Sequence, residues 1–419
     1  MKIAVIGAGS AGLAAVKHCT SGSYVNKVVC YEKSDQVGGT WVYKEETGVD
    51  EYGLPIHTSM YNSLRTNLPK EVMGYPDYPV SDHHQTYLPR RDLLSFLNSY
   101  CDSFNLRDYI RFRHNVETVK RIDGDQKWSV TVRDLRKNIV STDTFDAVMV
   151  CSGHYFAPSI PNLKGQDIFR GQQSHSHYYR VPDAFTDKRV VVFGAGPSGL
   201  DLVMEISRKA KRVIFSHHSK GVRNCMFPNH IIQKPDVKEL TEWGVVFEDG
   251  TSEDVDVVFY CTGYKYMFPF LDENCGVRVE SNMVTPLWKH IISIENPTLA
   301  FVGIVYNICS FNTFDLQVRF ALEYWFGKTA LPSKSDMLRE ERAELEKRMK
   351  EGLLKRHFHC MGSKLGDYFI DLARTAGIKP LAPVITTIFN DCLSRFWNDY
   401  VNYRDVRYKI INEHNYIRI

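Results

Sequence analysis

The chain has 419 residues, a net charge of +3, 43% apolar and 24% charged side chains, an ordinary globular composition with room for two domains. So small a charge does not point to nucleic acid, and no apolar run approaches the ~20 residues that cross a bilayer, so neither a nucleic-acid partner nor a membrane anchor is expected. The ten cysteines form no C-x-x-C pair, which argues against zinc and against a redox dithiol; they read as small buried thiols.

The first apolar run, Ile3-Ala4-Val5-Ile6, has the pattern of a buried strand and leads into Gly7-Ala8-Gly9-Ser10-Ala11-Gly12 and then a helical pattern from Ala11 to Cys19. Strand, G-x-G-x-x-G and helix in that order make a phosphate-cradling turn: a tight bend, a close backbone approach to pyrophosphate, and a helix N-terminus facing the anion. A second strand, Val28 to Tyr31, ends at Glu32, about 20 residues past Gly12, where an acid should accept ribose hydroxyls. That carboxylate would repel a 2′-phosphate, so this first site suits FAD or NAD and not NADP. The chain opens at Met1 directly into the first strand, so no leader is expected; a soluble, cytoplasmic protein is the reading, with secretion left open to a longer precursor.

Residues 50–90 are rich in Pro, Tyr and Asn and read as loops; Arg91 to Phe104 reads as an amphipathic helix, Val116 to Val132 as a β-meander, and Asp146 to Cys151 as a strand returning to the core. Pro158 and Pro161 mark a linker. Beyond it the first pattern recurs: Val190-Val191-Val192-Phe193, then Gly194-Ala195-Gly196-Pro197-Ser198-Gly199, then a helix. The following strand, Arg212 to Phe215, ends in Ser216-His217-His218-Ser219-Lys220 with Arg223 beyond, and no acid stands at the ribose position. Basic and polar groups there suit a 2′-phosphate, so the second site reads as NADPH. Val255 to Tyr260 and Leu299 to Val305 read as strands and Phe311 to Phe326 as an apolar helix. Met337 to Arg356 mixes charges at helical spacing and reads as a solvated helix face. The pairs His83-His84, His217-His218 and His357 with His359 lack metal-ligand spacing, so no metal is expected. The fold class is therefore α/β with two Rossmann-like units: 1–157 for FAD, 158–282 inserted for NADPH, and 283–419 completing the first unit with C-terminal helices.

Between the two turns stands Phe169-Arg170-Gly171-Gln172-Gln173-Ser174-His175-Ser176-His177-Tyr178-Tyr179, followed by Arg180. It resembles F-x-G-x-x-x-H-x-x-x-[FY], the motif that identifies flavin-containing monooxygenases. The resemblance extends to Gly38-Gly39-Thr40-Trp41, Tyr75 to Pro79, Cys261 to Tyr264 and Phe311 to Gln317, and so spans nearly the whole chain. The sequence looks like the compact bacterial and insect members, some of which N-oxidise pyrrolizidine alkaloids. The family's chemistry implies NADPH reducing FAD, O₂ forming a C4a-hydroperoxyflavin, and a soft nucleophile, a tertiary amine or a sulfide, attacking the distal oxygen. Compact members are often dimers, which leaves room for a homo-oligomer.

Residue by residue, the resemblance implies FAD contacts at Gly7, Gly9, Ser10, Ala11, Gly12, Glu32, Lys33, Gly39, Thr40, Trp41, Leu64, Thr66, Val116 and Gln317. For NADPH it implies Gly194, Gly196, Pro197, Ser198, Gly199, Asp201, His217, His218, Ser219 and Arg223. Thr66-Asn67-Leu68-Pro69-Lys70-Glu71 matches the family's [ST]-N-x-x-K-E segment, whose Asn lies beside both cofactors, so Asn67 is the candidate catalytic residue. Trp41 is expected near the flavin ring, Gln317 against the flavin, and His175 in a linker that fixes domain geometry. His218 and Ser219 stand where compact members carry an Arg-Thr pair. This departure implies NADPH affinity that falls as pH rises through the histidine's titration. Three other readings compete. A disulfide reductase needs a redox cysteine pair, which is absent. A Baeyer–Villiger oxygenase carries Trp where Tyr179 stands. A flavoprotein scaffold or redox sensor would have no need of intact turns together with Asn67 and Gln317.

Overall fold

The structure is a computed structural model describing residues 1–22, 24–80, 85–122 and 124–419; the pair His83-His84 lies outside the described residues. In chain order the first unit contains β1 (Lys2–Ile6), α1 (Ser10–Thr20), β2 (Lys27–Glu32), α2 (Arg90–Ser103) and β3 (Ile110–Phe112). The meander β4 (His114–Arg121), β5 (Trp128–Asp134) and β6 (Ile139–Phe145) follows, then β7 (Ala147–Val150). The second unit contains β8 (Gln172–His175), β9 (Arg189–Phe193), α3 (Pro197–Ile206), β10 (Arg212–Ser216), α4 (Lys220–Arg223) and β11 (Ile231–Lys234). An antiparallel trio, β12 (Val237–Leu240), β13 (Gly244–Phe247) and β14 (Ser252–Asp254), precedes β15 (Val257–Tyr260). The hairpin β16 (Arg278–Glu280)–β17 (Met283–Thr285) leads back through β18 (Leu287–Trp288), β19 (Ile292–Ser293) and β20 (Leu299–Phe301). Four helices follow, α5 (Ser310–Trp325), α6 (Lys334–Lys350), α7 (Leu365–Ala376) and α8 (Pro383–Asn398), then the hairpin β21 (Tyr408–Ile410)–β22 (Tyr416–Arg418).

One sheet runs β18-β19-β20-β7-β1-β2-β3, the other β11-β10-β9-β15-β8. From β20 to β3 the first sheet is parallel, as is the whole of the second. Parallel strands need both faces covered, which is why β1, β7, β9 and β15 are near-continuous apolar runs with almost no exposure. Chain order reverses between β1 and β7 in one sheet and between β9 and β15 in the other. Such a switch point opens a crevice at the strands' carboxyl ends, and each Gly-rich turn lies in one. A single apolar core joins α1, α5, α7 and α8 to both sheets, from Val5 and Leu13 to Val192 and Phe215.

Two expectations need correction. The strand expected over 299–305 stops at Phe301, because the Gly303 N–H turns to Gln317 Oε1 at 2.9 Å instead of continuing the ladder. The helix expected to Arg356 ends at Lys350, and it is not merely a solvated face. Glu341 is buried and accepts from Thr285 Oγ1 and the Leu287 N–H, while buried Arg348 donates to the carbonyls of Phe358 and Cys360. Among the described residues no helix is long and apolar enough to cross a membrane. Every cysteine is a free thiol, buried except for the half-buried Cys360.

Candidate active site

The first turn is shaped by backbone crowding. Gly7 has φ +99°, and a Cβ there would meet the Cys151 carbonyl oxygen at 2.7 Å. A Cβ on Gly12 would lie 1.8 Å from the Gly7 carbonyl oxygen, so α1 sits directly on the bend. Gly38 N–H donates to the Ala8 carbonyl, and Gly39 passes within van der Waals range of Gly9, so the short turn Gly39–Trp41 closes over the cradle. Glu32 is buried at the end of β2, its Oε2 accepting from Ala8 N–H at 2.7 Å and its Oε1 from Ser34 N–H at 2.8 Å. A carboxylate has about four acceptor positions, so two remain for ribose hydroxyls. A shallow cleft near it is lined among others by Lys33, Ser34, Gly39, Pro55, His57 and Arg113. Lys33 donates to the Pro55 carbonyl, and burial lowers its pKa. The Thr40 hydroxyl is buried and has no partner among the described residues, and Trp41 is half-buried behind it.

The second turn repeats the geometry. Gly194 has φ +108°, and a Gly199 Cβ would lie 1.8 Å from the Gly194 carbonyl oxygen. Gly196, at the N-cap of α3, differs: a Cβ there meets nothing within 4 Å. Pro197 and Ser198 start the helix, as Ser10 and Ala11 start α1; the second cradle is open at Gly196, whereas Gly39 lies against Gly9 in the first. Past β10, His217 is buried, bonds Gln233 through Nε2, and has its pKa lowered by desolvation. His218 is exposed and its Nδ1 bonds Asp236 Oδ2 at 2.6 Å. Ser219 caps α4, accepting from the Val222 N–H, and Arg223 is exposed. An acid does therefore stand beside the expected phosphate pocket. Asp236 lies 18 positions along the chain from His218 and is brought there by the parallel pairing of β10 with β11.

Three of the expected cofactor contacts have protein contacts of their own. Gln317 is fully buried; its Oε1 accepts from Gly303 N–H and its Nε2 donates to the Tyr368 hydroxyl at 2.8 Å. Through both ends of its amide it holds the loop after β20. Val116 sits at the bulge between β4 and β5 with its side chain in the meander core, away from the cleft. Asp201 does not face the open cradle: its carboxylate accepts from the hydroxyls of Tyr61 and Tyr400 and from Arg404 Nη1 at 2.9 Å. Thr66 is buried and mainly local, taking the Leu88 N–H and donating to the Leu68 carbonyl, and the Leu64 carbonyl accepts from Arg90 N–H. Asn67 is exposed, with its Oδ1 accepting from Arg404 Nη2 at 3.2 Å.

The linker motif ties the units together. Buried Arg180 donates to the carbonyls of Lys44, Glu46 and Thr58, and His177 Nε2 bonds the Ile56 carbonyl. Buried His175 pairs through β8 with β15 and accepts the His177 N–H on Nδ1. Desolvation pushes the pKa of His57 down to about 3 and those of His154 and His175 to about 4. These rings are neutral near pH 7. Sequence reasoning missed Arg404, Tyr400, Asp236 and His57, whose partners are remote in sequence and leave no local motif.

Two phosphate-cradling turns, each at the switch point of its own parallel sheet, define a protein built for two dinucleotides. Residues 1–226 and 220–393 match the family described as FMO-like, flavin-binding monooxygenase-like, and the chain belongs to that family of flavin monooxygenases. It is 34% identical over 419 residues to senecionine N-oxygenase of Tyria jacobaeae, covering 98% of this chain and 90% of that protein. It is 35% identical to flavin-containing monooxygenase FMO GS-OX-like 4 of Arabidopsis thaliana, covering 90% and 87%. Its fold superposes on S-allyl-L-cysteine S-oxygenase from Allium sativum with a TM-score of 0.89 at 31% identity, covering 96% and 94%.

Proposed function

We propose that the protein uses NADPH and O₂ to convert a tertiary amine to its N-oxide. The candidate substrate is a pyrrolizidine alkaloid. The reaction balances as R₃N + O₂ + NADPH + H⁺ → R₃N–O + NADP⁺ + H₂O. The observation that carries the reading is the open second cradle at Gly196, set across from a first cradle whose buried Glu32 keeps acceptor capacity. Residues 1–157 with 283–419 would hold FAD and residues 158–282 NADPH, a division that follows the strands' membership of the two sheets.

The flavin supplies the hard chemistry, activation of O₂ with two electrons from the nicotinamide. The chain's own work is to bind, orient and exclude water. Gly7, Gly9 and Gly12 would let backbone N–H groups reach one pyrophosphate, Gly194, Gly196 and Gly199 the other, and Glu32 would take the ribose hydroxyls of FAD. Ser219, Lys220 and Arg223 would take the 2′-phosphate, beside His218 held on Asp236. Asn67, which is exposed and whose amide both donates and accepts, would stand beside the coenzymes, as its counterpart does in the family.

The similarity to the Tyria N-oxygenase supports nitrogen as the target, and that to the Allium S-oxygenase supports sulfur as the second reading. A panel of a pyrrolizidine alkaloid free base, a simple tertiary amine, a thioether and a cyclic ketone, with products identified by mass, separates them. The alkaloid is expected to give an N-oxide with the highest kcat/KM. A sulfoxide or an ester as the best product would overturn the assignment.

A further inference from the structure

The C-terminal segment after α8 reaches back to the cleft. Arg404, in the short turn Tyr403–Asp405, has its guanidinium spread over three partners: Nε to the Thr66 carbonyl at 3.4 Å, Nη1 to Asp201 Oδ1 at 2.9 Å, and Nη2 to Asn67 Oδ1 at 3.2 Å. Asp201 belongs to α3 of the second unit, Thr66 and Asn67 to the first, so this one side chain spans both. Asp201 is itself fixed by the hydroxyls of Tyr61 and Tyr400. The Asn67 backbone is held from the same side, its carbonyl accepting from Cys392 Sγ of α8.

The chemistry of the partners decides which way the Asn67 amide points. A guanidinium has five donors and no acceptor, so only an oxygen can face it. The amide oxygen is therefore turned to Arg404 and the NH₂ is turned away; Nδ2 has no partner among the described residues. We propose that Arg404, anchored on Asp201, is a positioning residue that makes Asn67 present its NH₂ as a hydrogen-bond donor to the coenzymes, so that the donor is set only when the two units are docked. This rests on the reading of Asn67 as the group beside both coenzymes. Asp201 thereby takes a bracing role instead of the coenzyme contact expected for it.

The test uses the FAD-loaded full chain with two readouts: the dissociation constant of NADP⁺, followed by flavin fluorescence, and N-oxide formed per NADPH consumed. NADPH that makes no product goes to peroxide, NADPH + H⁺ + O₂ → NADP⁺ + H₂O₂. Arg404→Gln can offer the amide either an acceptor or a donor, so it frees Asn67 to flip, while Asp201 keeps its two tyrosine donors. It is expected to weaken NADP⁺ about two- to tenfold, the equivalent of one lost hydrogen bond, and to raise peroxide release several-fold. Arg404→Lys, still donor-only, is expected to recover most of both. In an Asn67→Ala background Arg404→Gln is expected to add less than about twofold, because its effect runs through Asn67.

Additive losses in that double variant, or an Arg404→Gln protein that binds NADP⁺ and couples like the parent while Asn67→Ala does not, would overturn the positioning role and leave Asn67 in place. An Asn67→Ala protein indistinguishable from the parent would overturn the Asn67 reading itself. Asn67→Asp leaves the inter-unit ion pair untouched and strengthens the bond to Arg404 but has no N–H to offer. It is expected to fail like Asn67→Ala on both readouts, and its retention of NADP⁺ affinity and coupling would overturn the donor assignment even if Arg404→Gln did not fold.

Discussion

Gly196 and Gly199 sit three residues apart in one turn, yet the structure assigns them opposite fates on substitution by alanine. Gly196 has φ −75° and ψ −179°, a conformation open to any residue, and its added methyl meets no protein atom within 4 Å. Reduced unfolded-state entropy would favour Gly196→Ala by about 0.4–1 kcal/mol, and the poorer N-cap offsets a similar amount, so stability should hardly move. The methyl would instead enter the open space proposed for the coenzyme's pyrophosphate. Overpacking by one methyl costs about 1–3 kcal/mol, which is about a 5- to 150-fold loss of NADP⁺ affinity. Gly199→Ala puts its methyl 1.8 Å from the Gly194 carbonyl oxygen and 3.3 Å from Cys261 Cβ. The helix must back away from its own strand, and a loss above ~3 kcal/mol is expected, enough to abolish folding in many proteins. Titration with NADP⁺, flavin content and urea unfolding read all three quantities. A Gly196→Ala protein with unchanged NADP⁺ affinity, or one that loses its flavin, would refute the assignment of this turn to the nicotinamide coenzyme. A stable Gly199→Ala protein would refute the packing argument.

Glu32→Gln replaces one of two carboxylate oxygens with an NH₂ that must face either the Ala8 or the Ser34 N–H, so flavin affinity is expected to drop by about 1.5–3 kcal/mol, seen as FAD lost on dialysis. Desolvated neutral histidines make stability depend on pH. For His57, His154 and His175 the folded-state pKa lies below the unfolded value of 6.5, so between those limits the unfolded chain binds more protons and stability falls as pH falls. Each contributes up to about 1.4 kcal/mol per pH unit from about pH 6 down to its folded pKa, so the urea midpoint is expected to drop steeply between pH 7 and 5. An unchanged midpoint across that window would contradict the neutral-ring assignment. Native thiol titration is expected to modify Cys360 first and slowly, since the other nine thiols are buried; several fast-reacting thiols would be inconsistent with the packing.

Local pattern determined a good deal of this protein. The two Gly-rich turns, the strands leading into them, Glu32 and the amphipathic helix over 90–103 were legible because each depends on neighbours within a few residues, through apolar runs, tight turns and helix periodicity. What escaped the sequence lies where the partner is remote. The sequence did not show that Gly303 and Tyr368 would fold onto the two ends of the Gln317 amide. Asp201 looked like part of a nucleotide turn, yet its carboxylate closes on a tyrosine from residue 61 and an arginine from residue 404. His218 looked like a lone phosphate partner until parallel pairing brought Asp236 beside it. Hydrogen bonds and ion pairs are satisfied in space, not along the chain, so which donor meets which acceptor, and hence which way the Asn67 amide faces, is decided only when two sheets and a C-terminal helix pack around one core.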